Sequence, residues 1–170
     1  MKLVIFDLDQ TLVDFIALHD ETTNELFRRF FGVDAKLTDI DFAGRSLADD
    51  FAVLARLRNI PEAKFRERLP RLLLEYDRVF GNKMPPDASK YILPGVIDLL
   101  TCLSATDNLM VLHTGGSPGI FDAVFRATGL GKNFKFCQYG TEFKTRADMV
   151  LVLITQAGKL TESTSVAKTS

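Results

Sequence analysis

A chain of 170 residues with 46% hydrophobic content has enough apolar side chain for one packed domain, or for a core domain carrying an insertion, which excludes a wholly disordered chain. The net charge of -1 shows none of the basic surplus that tracks a nucleic-acid backbone, so a nucleic-acid partner is not expected. No run approaches the length of a membrane span and the opening MKLVIF turns acidic too soon for a signal peptide, so the expectation is a soluble, cytoplasmic protein with no membrane partner.

Lys2 to Phe6 reads as a buried strand, and Asp7 and Asp9 follow where the chain leaves the core. In an α/β sheet that is the ligand-facing end of a strand, so the two carboxylates are placed to meet a substrate or a metal. The stretch also fits a plain turn shaped by Asp9 and Thr11. From about Asp14 to Tyr91 the apolar residues recur at helical spacing, as in Leu26, Phe27, Phe30 and Phe31, and again in Phe65, Leu69, Leu72, Leu73 and Tyr76, with no strand signal. His19, in the first of these helices, is expected on a polar face.

GNKMPPDAS, residues 81–89, is linker-like, and a helix reopens after Pro94. NLMVLHT (Asn108 to Thr114) is a second strand, SPGIFDAVFRATGL a helix, FKFCQYG a third strand, and RADMVLVLITQAG a helix ending near Gly158. Strands alternating with helices give an α/β class with a parallel sheet. Ser117 and Pro118 suit the start of a helix, and with Thr114, Gly115 and Gly116 before them they form a candidate phosphate cradle or an ordinary tight turn. Cys102 and Cys137 lack CxxC spacing and are expected as reduced, buried thiols.

These residues resemble the haloacid dehalogenase superfamily of phosphatases and phosphotransferases. Its Asp-x-Asp-x-Thr motif is matched by Asp7, Asp9 and Thr11, and its second motif, a Ser or Thr ending the next core strand, by Thr114. Its motif lysine has Lys144 as the natural candidate, with Lys135 and Lys159 poorer alternatives. The resemblance implies a Rossmann-like parallel-sheet core over residues 1–13 and 90–158, a helical cap over 14–89 and a polar tail over 159–170.

It further implies Mg2+ held by Asp7 and Asp9, and a small phosphorylated metabolite as substrate of a monomer or homodimer. The roles it implies are Asp7 as nucleophile, Asp9 as general acid and base, Thr114 and Lys144 on the transferring phosphoryl group, and Thr11, Gly115 and Gly116 around the phosphate. Arg45, after Gly44 in the inserted segment, is a candidate for reaching an anionic substrate, although a solvated face is favoured for it. The implied activity is a Mg2+-dependent phosphatase resembling the phosphoglycolate phosphatase branch. A phosphomutase, a non-catalytic phosphate-binding protein and an inactive fragment are the alternatives, whereas the dehalogenase branch lacks the acid at the position of Asp9.

Two departures accompany the match. Gln10 stands where the family usually has Gly, which demands a restricted backbone or a different turn. The family's fourth motif, an acid after a further strand, has no counterpart in KLTESTSVAKTS, so the sequence leads one to expect a shortened chain or altered reading frame, weak Mg2+ binding, impaired turnover and an open edge on the first strand.

Overall fold

The computed structural model describes residues 2–140 and 146–167. The first strand, β1 (Leu3–Phe6), is a short β-branched and aromatic run, and β2 (Leu109–Thr114) and β3 (Cys137–Tyr139) pair beside it in the order β1-β2-β3. Both pairings are parallel, with Phe6 opposite Leu112 and Thr114 opposite Tyr139, so all three strands point their carboxyl ends the same way. Among the described residues β1 is an edge of this sheet, and Leu3, Val4 and Ile5 are only half-buried along it.

Between β1 and β2 lie four helices: α1 (Ile16–Phe31), α2 (Leu47–Leu57), α3 (Glu62–Lys83) and α4 (Val96–Ser104). The first three form a bundle whose apolar stripes meet in a ring of aromatics. Phe51 stands 5.5 Å from Phe27 and 5.3 Å from Tyr76, in edge-on geometries that suit ring quadrupoles. Each of these buried rings contributes on the order of 1.5–3 kcal/mol relative to an exposed one, which is what holds a helical segment with no sheet of its own.

The chain enters and leaves this bundle side by side. The Asp14 amide donates to the Tyr91 carbonyl at 2.8 Å and the Leu93 amide to the Leu12 carbonyl at 3.0 Å, so the two connecting segments brace each other. After β2, α5 (Pro118–Thr128) begins at Ser117, whose Oγ accepts from the Ile120 amide at 3.3 Å and caps the helix.

The last helix, α6 (Arg146–Ala167), runs on past Gly158, where the sequence was expected to give way to a polar tail. A single mid-helix glycine costs only about 1 kcal/mol and does not by itself end a helix. Met149, Leu153 and Ala157 recur every fourth residue and are buried, which fixes the inner face of α6. The cysteines also depart from expectation: Cys102 is exposed on α4 and Cys137 half-buried in β3. Burial pushes the Cys137 thiol up to about 12, so it stays protonated and unreactive at neutral pH.

Candidate active site

Parallel register decides what surrounds the first motif. Because Phe6 lies opposite Leu112, the next residues, Asp7 and His113, are neighbours across the strands, and Asp7 Oδ1 lies 3.8 Å from His113 Nδ1. The chain then folds into a tight turn in which the Leu8 carbonyl accepts from the amides of Thr11, Leu12 and Val13. Leu8, Leu12 and Val13 are driven into the core, and Asp9 and Thr11 stay on the outer side of the turn. Gln10 takes the left-handed conformation, with φ of 58°. The turn therefore keeps the shape a glycine would adopt, and Gln10 Nε2 donates to Asp14 Oδ1 at 2.6 Å.

Asp7, Asp9, Thr11, Gly115 and Gly116 all open onto one cavity of about 360 Å3 between the strand ends and the helical bundle. The side chains of Asp7 and Asp9 remain 35% and 31% exposed, so both carboxylates are reachable from it. Thr114 is placed differently. It is buried behind the cavity wall, where its Oγ1 accepts from the Gly116 amide at 3.1 Å, shaping the glycine turn. That hydroxyl still has its own proton to donate. Gly140 presses on the same turn so closely that a Cβ there would lie 2.7 Å from the Gly115 carbonyl oxygen. Lys144 lies outside the described residues.

His19 corrects the expectation of a polar face. It is buried, with Nε2 3.4 Å from Asp9 Oδ1 and Nδ1 2.7 Å from the Tyr76 hydroxyl, and its ring stacks on Phe80 at 4.6 Å. Phe15, His19, Thr22, Thr23 and Leu26 are all buried and spaced as one face of a helix, so helical phase carried the signal for it. The tautomer protonated at Nε2 satisfies both neighbours, donating to Asp9 and accepting the Tyr76 hydroxyl proton, an assignment made from the hydrogen-bond network. Burial drives the Tyr76 phenol far above its ordinary value, so it remains a hydrogen donor.

Two further acids were not singled out by the sequence. Asp50, on α2, is buried at the cavity wall with its Oδ1 4.0 Å from Arg45 Nη1, so Arg45 does reach the cavity but beside an opposite charge. Asp77, on α3, accepts from Ser117 Oγ at the start of α5. A Cβ at Gly119 would lie 2.7 Å from Asp77 Oδ2, so only glycine lets α3 come this near the α5 N-terminus. Burial raises the Asp77 carboxyl above its ordinary value and the Ser117 bond partly offsets this. The bundle also meets the glycine turn directly, the Leu47 amide donating to the Gly115 carbonyl at 3.4 Å.

Among the described residues no cluster of three or more His, Cys, Asp or Glu side chains could hold a metal, and no helix is long and apolar enough to cross a membrane. The pair Asp7 and Asp9 nonetheless has the right donor chemistry for Mg2+, which is usually held by one or two carboxylates with waters and substrate phosphates completing its shell.

Solved structures with the same architecture include a β-phosphoglucomutase from Clostridium difficile, 20% identical, which superposes over 85% of this chain and 64% of its own with a TM-score of 0.71. A hydrolase from Pseudomonas syringae, 19% identical, covers 92% of this chain and 70% of its own with a TM-score of 0.72. A predicted phosphoglycolate phosphatase from Haemophilus somnus, 18% identical, covers 84% and 64% with a TM-score of 0.65. At such identities the likeness is one of fold, and the chain spans about 64% of the length of the first and third of these. No curated protein matches the sequence. The family model for haloacid dehalogenase-like hydrolases matches residues 1–163, nearly the whole chain, and the protein belongs to that family.

Proposed function

We propose that this protein is a Mg2+-dependent phosphatase of small phosphate monoesters, working through an aspartyl-phosphate. The observation that carries the reading is the opening of Asp7, Asp9, Thr11, Gly115 and Gly116 onto one cavity at the carboxyl end of the parallel strands. Asp7 through its carboxylate and Asp9 through its backbone carbonyl would hold the metal, which would supply positive charge against the substrate's phosphate oxygens and leave the Asp9 carboxyl able to carry a proton.

In the first half-reaction an Asp7 carboxylate oxygen attacks phosphorus in line, forming the acyl phosphate as the ester P–O bond breaks. Asp9 gives its proton to the departing alcohol oxygen. In the second half, Asp9 takes a proton from water as that water attacks phosphorus, releasing inorganic phosphate and restoring Asp7. The Gly115 amide and the Thr114 hydroxyl, whose oxygen accepts from the Gly116 amide, are assigned to the phosphoryl oxygens, and Lys144 to offsetting the repulsion between Asp7 and phosphate.

The test is phosphate release by the purified protein from a panel of monoesters, with Mg2+ and with chelator, beside an Asp7→Asn variant. Metal-dependent release that vanishes in Asp7→Asn supports the reading, and release indifferent to both changes overturns it. A phosphomutase is the second reading. The bond from the Leu47 amide to the Gly115 carbonyl, which joins the bundle to the glycine turn, is what raises it: further closure over Asp7 and Asp9, 35% and 31% exposed here, would keep water from the acyl phosphate and let another alcohol accept the group. Transfer to added sugar phosphates in preference to water distinguishes the two.

A further inference from the structure

We propose that Gln10 is a positioning residue: through Asp14 it fixes the direction in which α1 leaves the strand-end turn, and so holds His19 against Asp9. What Asp9 does once held rests on the phosphatase reading, whereas the arrangement itself is open to test without substrate. Gln10 occupies the position where the family usually has glycine and adopts φ of 58°, a conformation that side chains take at a cost and keep only where their surroundings hold them. Two bonds hold it. Its amide donates to the Val13 carbonyl at 2.8 Å, and its Nε2 donates to Asp14 Oδ1 at 2.6 Å, a bond to a charged acceptor that a glycine could not make.

The same carboxylate oxygen accepts the amide of Ile16, the first residue of α1, at 3.1 Å. Phe15 stands at the N-cap position and makes no side-chain cap, so Asp14 is what receives this free amide at the start of the helix. One turn on, the His19 amide donates to the Phe15 carbonyl at 2.9 Å, and His19 Nε2 comes back to 3.4 Å from Asp9 Oδ1. Asp9, Gln10, Asp14, Ile16 and His19 thus close a ring whose links are chain or hydrogen bonds. Of these links, the one from Gln10 to Asp14 keeps the Asp14 carboxylate, and with it the start of α1, from turning away from the strand-end turn. The His19 contact with Asp9, at the long end of a hydrogen bond, is the first to go when α1 shifts.

Gln10→Glu keeps the size and shape of the side chain but sets a second carboxylate against Asp14 at neutral pH. The double variant Gln10→Glu/Asp14→Asn restores the link with donor and acceptor exchanged: the introduced amide donates to the introduced carboxylate, while its oxygen still accepts from Ile16. Two readouts are taken by NMR on the substrate-free protein: hydrogen exchange of the Ile16 amide, and the nitrogen shifts of the His19 ring, which report its tautomer. Gln10→Glu is expected to speed Ile16 exchange about tenfold and to mix the His19 tautomers, and the double variant to return both toward the original protein. A general loss of stability would speed exchange along the whole chain and would not be reversed by Asp14→Asn.

Unchanged Ile16 exchange and an unchanged His19 tautomer in Gln10→Glu overturn the proposal, and so does a double variant that behaves like the single one. If Gln10→Glu fails to fold, Gln10→Ala, which removes the donor without adding charge, is expected to speed Ile16 exchange about threefold, and no change in it overturns the proposal. Because no part of the test requires turnover, an inactive protein in which the link behaves as described counts against the phosphatase reading alone.

Discussion

His19 holds its Nε2 3.4 Å from Asp9 Oδ1 and so ties the first helix of the bundle to the second acid of the strand-end motif. Behind it the Tyr76 hydroxyl, at 2.7 Å from Nδ1, keeps the ring from turning. On the proposed chemistry His19 positions the residue that moves the proton. His19→Ala is expected to lower kcat about 10- to 100-fold, the scale at which small misplacements are felt, with a smaller change in KM. His19→Gln, which keeps an N–H donor, is expected to recover part of the loss. Steady-state kinetics alongside thermal melts check this, and equal activity of the two variants removes the positioning role.

The two acids of the motif are expected to fail in different ways. Asp7→Asn abolishes turnover while substrate analogues still bind, because the amide cannot attack phosphorus. Asp9→Asn retains the nucleophile and slows both proton transfers by roughly 100- to 10,000-fold. Single-turnover measurements separate them: acyl-phosphate formation, trapped by acid quench, is absent in Asp7→Asn and slow in Asp9→Asn. A change below threefold in Asp9→Asn sinks its role.

Gln10 carries the turn in a left-handed conformation that side chains with a Cβ adopt at a cost. Gly at that position relieves the backbone but loses the bond to Asp14 and loosens the unfolded chain, so Gln10→Gly is expected to be within ~1 kcal/mol of neutral. Gln10→Val, branched at Cβ, is expected to cost ~1–2 kcal/mol more than the glycine variant. Urea denaturation of both variants is the check, and equal stabilities remove the left-handed turn from the account.

Asp77 gives stability a pH dependence of definite sign. Its carboxyl is raised in the folded protein above the 3.8 of a free aspartate, chiefly by burial. As pH rises from that value, the unfolded chain ionises first, so stability falls until the folded carboxyl has ionised too and then levels off. Asp77→Asn is expected to lose this fall and, provided its amide accepts the Ser117 hydroxyl, to gain stability relative to the original protein toward neutral pH. Denaturation midpoints between pH 3 and 7 test it, and parallel curves for the two proteins contradict the assignment.

Local rules read much of this chain directly. Short apolar runs ending in Asp7 and Thr114 mark strands, Ser117 and Pro118 mark the start of α5, and residues at helical spacing mark α1, α2 and α3. Each signal is a property of a few consecutive residues, and the α/β class and the family resemblance followed from their order. The end of α6 was misread because Gly158 and the Ser/Thr-rich residues after it lower helix propensity without forbidding a helix.

Apolar content alone also overstated the burial of Cys102, because α4 turns that face outward. Helical phase could have placed His19 on the buried face of α1, but what His19, Asp50 and Asp77 meet is beyond local reading for a different reason. Their partners, Asp9 and Tyr76, Arg45, and Ser117, lie on other elements or on the loops between them, and Tyr76 and Ser117 are tens of residues away along the chain.

The sequence by itself therefore determined the order of strands and helices, the placing of Asp7 and Asp9 at a strand end, and the glycine turn after Thr114, since each depends on side-chain period and backbone freedom over a few residues. Tertiary structure decided which charges meet: His19 with Asp9, Arg45 with Asp50, and Asp77 with the start of α5. The strength of an ion pair or buried hydrogen bond depends on separation and solvent exclusion, and both are set only when α1, α2 and α3 pack over the ends of the sheet.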